Sequence, residues 1–169
     1  MEKIIIFDTS ILCVWLQIPN FERCGNDEDF WDYERIDKKI EEELKNNVTF
    51  VLPLATIIET GNHISQSSGN RYELAKKFSA LLSKSVDNEY PWAAFSEQGE
   101  LWTDQRMKQL AENFPDLAIQ SLSLGDATIK DIAEYYAGFG RYTIEIFTGD
   151  QGLKAYEPMK PLKIPRRRK

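Results

Sequence analysis

A chain of 169 residues with 42% hydrophobic and 28% charged positions is the size of one domain with one substantial core. Asp8, Thr9 and Ser10 interrupt the one apolar candidate for a bilayer span, Ile4 to Ile18, and the same trio spoils a signal-peptide reading. Cys13 and Cys24 lack zinc or disulfide-framework spacing, so the expectation is a cytoplasmic protein with no membrane segment.

The elements follow from the patterning. Lys3 to Phe7 reads as a buried strand, and Ile11 to Leu16 as the start of a helix capped by Thr9 or Ser10. The polar, acidic and aromatic stretch "PNFERCGNDEDFWDY", residues 19–33, reads as a surface insertion. Ile36, Ile40 and Leu44 recur at helical spacing, "VTFVL" is a second strand ended by Pro53, and Leu54 to Ile64 is a helix broken by "SQSSGN". Tyr72 to Leu82 is a further amphipathic helix. Residues 85–117 are the least patterned and read as a second insertion; Thr103 to Phe114 looks helical there, and "LAIQSLSL" is compatible with a short strand. A helix then begins near Gly125, and "TIEIFT" is the last strand. Strands separated by helices imply an α/β fold of three layers, a central parallel sheet of four to five strands with helices on both faces.

The charge is unevenly spread. Removing the six cationic residues between Lys160 and Lys169 from the net −6 leaves −12 on residues 1–159. The domain is therefore an acidic body over residues 1–157, followed by a basic tail over 158–169. In that tail Arg166, Arg167, Arg168 and Lys169 are candidate RNA-binding residues, the plain alternative being a solvated end.

In open parallel sheets ligands bind beyond the carboxyl ends of the strands. Asp8 ends the first strand, Asp150 follows the last, Asp126 opens a helix on the same edge, and Glu59 lies about one and a half turns into the helix after the second strand. Two carboxylates about 5 Å apart repel by roughly 3 kcal/mol at an effective dielectric near 20, so such a cluster calls for a cation. One histidine and no cysteine cluster leave hard oxygen ligands, which favour Mg²⁺ or Mn²⁺.

The segments "IIIFDTSIL", "LPLATIIETGNHI", "SLGDATIKDIA" and "IEIFTGDQGL" together resemble, in order and spacing, the four acidic motifs of PIN-domain ribonucleases, among them the VapC-like toxin nucleases. The resemblance covers most of residues 1–157 and implies a PIN-like fold and a metal-dependent endoribonuclease. Its acids would be Asp8, Glu59, Asp126 and Asp150, with Asp8, Asp126 and Asp150 ligating Mg²⁺ or Mn²⁺, Glu59 positioning a metal-bound water or a second ion, and Thr148 a hydroxyl beside the metal. The partners it implies are single-stranded RNA and, for a toxin, a cognate antitoxin protein; a homodimer is compatible with it. The last motif carries Gly149 where an Asn or a charged residue is commoner in the family, and Leu153 where an aromatic is frequent.

Each residue also has a plainer role open to it. Asp8 can be a helix cap and Asp126 a partner of a helix dipole. His63, four residues after Glu59, can orient that acid, reach the phosphate, or simply be structural. Two other functions compete: a catalytically inactive scaffold or RNA-binding module of the same fold, and a haloacid-dehalogenase-like phosphatase. The latter wants a second Asp where Ser10 stands and a further acid near Lys154.

Overall fold

The computed structural model describes residues 2–160; Met1 and residues 161–169, with the candidate RNA-binding residues Arg166, Arg167, Arg168 and Lys169, lie outside the described residues. The chain starts with β1 (Glu2–Phe7), and Asp8 caps α1 (Thr9–Trp15). A small antiparallel hairpin follows, β2 (Arg23–Gly25) and β3 (Phe30–Asp32), then α2 (Tyr33–Leu44), whose first turn is capped by Asp32. β4 (Val48–Val51) leads through Pro53 into α3 (Leu54–Gln66), and Asn70 caps α4 (Arg71–Val86). A 3₁₀ segment (Phe95–Trp102), α5 (Asp104–Ile119) and α6 (Leu124–Gly138) precede β5 (Tyr142–Phe147) and the short α7 (Gln151–Lys154).

β1 is the middle strand of a parallel sheet ordered β4–β1–β5, in which Ile5 lies beside Phe50 and Phe7 beside Phe147. Its side chains alternate between two cores, as a strand's period of two requires. Ile5 and Phe7 join Phe50, Leu52 and Phe147 under α1, α3 and α4. Ile4 and Ile6 join Val51, Ile144 and Ile146 under α6. Both faces are covered, which is why β1 reads as an unbroken apolar run rather than an alternating one. Phe7 is fully buried and packs edge-on against Phe50 and Phe147, so truncating it to Ala would cost about 3–5 kcal/mol. Among the described residues no helix is long and apolar enough to cross a membrane.

The parallel sheet has three strands among the described residues, where the sequence reading allots four to five. Beyond β4 an isolated bridge extends the sheet: Phe50 N–H donates to the Pro91 carbonyl at 2.7 Å and Ala93 N–H to that of Phe50 at 2.8 Å. The expected strand in "LAIQSLSL" is instead the end of α5 and a turn, reversed at Ser121 with φ of 63°. α5 runs through Pro115 to Ile119, past Phe114 where the sequence reading ends this helix. Ile119 is 83% exposed, so this segment faces solvent and has no sheet edge to join. The two segments read as insertions both reach the core: Trp31 packs on Phe147 from the hairpin, while Trp92 and Leu101 are buried.

Candidate active site

Parallel register brings the ends of β1 and β5 level, and Asp8 N–H extends the ladder by donating to the Phe147 carbonyl at 3.0 Å. Asp8 and Thr148 thus emerge side by side. Asp8 is only 6% exposed, and three donors hold its carboxylate: Thr9 N–H at 2.7 Å, the Ser10 hydroxyl at 2.6 Å and the Thr148 hydroxyl at 2.7 Å. The same Thr148 oxygen accepts from Asp150 N–H at 2.9 Å, and the Ser10 oxygen accepts from Gly149 N–H at 3.1 Å. Two hydroxyls therefore stitch the end of β1 to the loop carrying Asp150. Burial pushes the Asp8 carboxyl above the usual carboxylate range, and its hydrogen bonds offset that only in part.

Asp126 sits third in α6, where it forms a capping box with Ser123: Asp126 N–H donates to the Ser123 hydroxyl at 3.0 Å and Ser123 N–H to Asp126 Oδ2 at 3.2 Å. Its carboxyl is also raised, first by burial, then against its capping bonds by the charges of Asp8 and Asp150. The charges of two acids on other segments thus reach Asp126. Asp150 caps α7, with Oδ1 accepting from Gly152 N–H at 2.7 Å and Leu153 N–H at 3.3 Å. Glu59 joins from α3, where its Oε2 accepts from the Thr9 hydroxyl at 2.8 Å. Its other oxygen lies against Gly125, where an added Cβ would stand 2.5 Å away. The helix that carries Asp126 thus touches the acid on α3. None of the four acids has an ion-pair partner among the described residues.

The plainer roles of Asp8 and Asp126 are therefore real, but they occupy only part of each carboxylate. His63 lies apart from the cluster's bonding: its ring meets Phe21 edge-on at 4.7 Å, and it makes no hydrogen bond to Glu59 among the described residues. Sequence reasoning missed Thr9 and Ser10 as partners of the acids, although their signal was the "DTS" run itself. It also missed the reason for Gly149. A Cβ there would lie 2.7 Å from Gly25 N and 2.8 Å from Cys24 Sγ, so the hairpin packs directly on the loop before Asp150. The Cys24 thiol, facing Ser10 and near the Asp8 charge, is pushed up to about 11 by burial first.

Among the described residues no three His, Cys, Asp or Glu side chains form a ready-made ion cage. The donor chemistry nevertheless suits a hard cation. Mg²⁺ keeps most of its waters and is ordinarily held by one or two carboxylates, with substrate phosphate completing the shell. Two carboxyls with raised affinity for protons and no cationic partner are groups that such an ion would relieve. Compared with known proteins, the chain matches no family model, no curated protein and no solved structure.

Proposed function

We propose that the protein is a Mg²⁺- or Mn²⁺-dependent endoribonuclease of PIN-like fold, hydrolysing phosphodiester bonds of single-stranded RNA in the cytoplasm. The observation that carries this reading is the tie of Asp8 to Asp150 through Thr148, with Asp126 near enough to feel both charges and none of the three in an ion pair among the described residues. The order of the four acidic motifs, similar to that of PIN-domain ribonucleases, is its second support. Asp8, Asp126 and Asp150 would hold the ion, which would shield the phosphate from the carboxylates and lower the pKa of an attacking water. Glu59, tethered by Thr9, would orient that water. The toxin of a toxin–antitoxin pair is the setting in this reading, and co-purification of a small DNA-binding partner encoded beside it tests that role.

A scaffold of the same fold is favoured by one observation, the capping bonds that give Asp8, Asp126 and Asp150 each a structural role of its own. RNA hydrolysis by wild type and Asp8→Asn, with and without EDTA, separates the two. Asn caps a helix as well as Asp does, so the fold persists while the charge is lost. The expected loss is at least about a hundredfold, which is roughly 2.7 kcal/mol of barrier. Equal, EDTA-resistant activity in both proteins would sink the nuclease reading.

A further inference from the structure

Beside the acids, the amino-terminal turns of α3 and α6 and the segment around Trp102 enclose an open groove of about 360 Å³. Leu54, Ile58, Trp102, Met107 and Leu124 make its walls, and Ile58 and Leu124 are about half exposed, at 54% and 50%. Glu59 and Gly125 belong to the groove as well as to the acid cluster, so the two surfaces are continuous. We propose that this groove seats a nucleobase of the RNA strand whose phosphate lies at the acids. The inference rests on the nuclease reading and adds to it the part of the substrate that is held.

The chemistry divides the strand between the two surfaces. A phosphate suits the acids once a cation screens them, and it is repelled by Glu59 elsewhere along the groove. The groove's apolar walls offer little to a charged or sugar group, whereas a base has a flat face that stacks on an aromatic ring. Trp102 supplies such a ring, and its buried indole N–H has no acceptor among the described residues, an orphan of the kind that a ligand or an ordered water ordinarily satisfies. The volume falls in the range of pockets for small ligands rather than the much larger area a stable protein partner needs. Stacking reads no base edge, so the groove holds a base without strong preference among the four.

The test uses the full chain carrying Asp8→Asn, which binds without cutting, in Mg²⁺ buffer. Its affinity for a labelled eight-nucleotide single-stranded RNA is compared with that for the same RNA containing abasic positions. Removing bases should weaken binding roughly tenfold or more. Adding Trp102→Leu, or Ile58→Ser at an exposed position that leaves the fold intact, should weaken the intact RNA and shrink the abasic penalty. An abasic penalty of the same size in both variants would overturn the proposal. So would unchanged affinity accompanied by loss of a dimer in ultracentrifugation, which would make the groove an interface between copies. Because binding is read on a protein that cannot cut, failure here is distinct from failure of the nuclease reading, which the cleavage assay alone decides.

Discussion

The Thr148 hydroxyl donates to Asp8 Oδ2 at 2.7 Å and accepts from the backbone N–H of Asp150 at 2.9 Å, so one oxygen ties the two strand-end acids together. Thr148→Val keeps the shape and removes that tie. It leaves a buried carboxylate one donor short, which should cost about 1–3 kcal/mol of stability. It should also move the acidic limb of the pH–rate profile to higher pH, because Thr148 is among the bonds that hold the Asp8 carboxyl down. Thr148→Ser should restore both, as measured by denaturation and cleavage assays; a Val variant with an unmoved profile would deny Thr148 its positioning role.

Gly125→Ala addresses Glu59 without touching it. The new Cβ would stand 2.5 Å from Glu59 Oε1, and Oε2 is held by Thr9, so the carboxylate must turn. Ala is the better helix former by up to about 1 kcal/mol, so the melting temperature should hold or rise. Displacing a positioning group by an ångström can cost about a hundredfold, and kcat should fall toward that. Full activity would mean that Glu59 has no part in the reaction.

The acids set a pH dependence that metal should cancel. The folded-state value of Asp8 is raised by burial, so its contribution to stability is present below about pH 3.9 and is lost as pH rises through the folded value. Glu145 titrates the other way: burial raises it, but bonds and charges of Lys3 and Lys39 outweigh that, so its contribution is lost as pH falls. Comparing wild type with Asp8→Asn cancels Glu145. In metal-free buffer the wild-type melting temperature should therefore drop relative to the variant as the pH rises above about 4. Millimolar Mg²⁺ should reverse the difference at pH 7, since an ion that binds only the folded cluster stabilises by mass action.

Gly149→Ala tests the hairpin contact. The added methyl meets Gly25 N at 2.7 Å and Cys24 Sγ at 2.8 Å, and one of those is backbone that cannot swing aside. Overpacking of this sort costs about 1–3 kcal/mol, and calorimetry should register it. A neutral result would mean that the hairpin yields freely.

Deleting residues 160–169 removes six positive charges. RNA affinity should fall, and the slope of log affinity against log salt should flatten by up to about four, at roughly 0.7 per neutralised phosphate on a single strand. Cleavage at saturating RNA should survive. An unchanged slope would give the tail some partner other than RNA.

The three parallel strands and the place of Asp8 at the end of β1 were legible because each rests on a local rule. Ile4 to Phe7 is a continuous apolar run because both faces of β1 are covered, and strand ends are where an α/β sheet places ligands. Between Val86 and Leu122 only the helix at Thr103 to Phe114 was legible, because the other contributions to the core are single long-range contacts, such as Trp92 beside Phe50, that leave no periodicity. The helix read as ending at Phe114 continues through Pro115 to Ile119. The hairpin at Arg23 to Asp32 was hidden for another reason: its strands are three residues each, and its cover over Gly149 is visible only once β5 is beside it.

The pairing of Phe7 with Phe147 makes the levels of Asp8 and Thr148, the residues that follow the two strands, a matter of counting rather than of distance. Neither residue can drift by a fraction of an ångström along its strand; it moves by whole residues or not at all. Losing one residue from β1 would exchange the side chains sent to the two cores, burying Ile4 and Ile6 where Ile5 and Phe7 belong. The chain therefore has no gradual route to a wider or narrower acid cluster through its strands. Change of that kind is left to the loop of Asn26 to Asp29 and to the first turns of α3 and α6, where length and side chain vary without resetting the ladder.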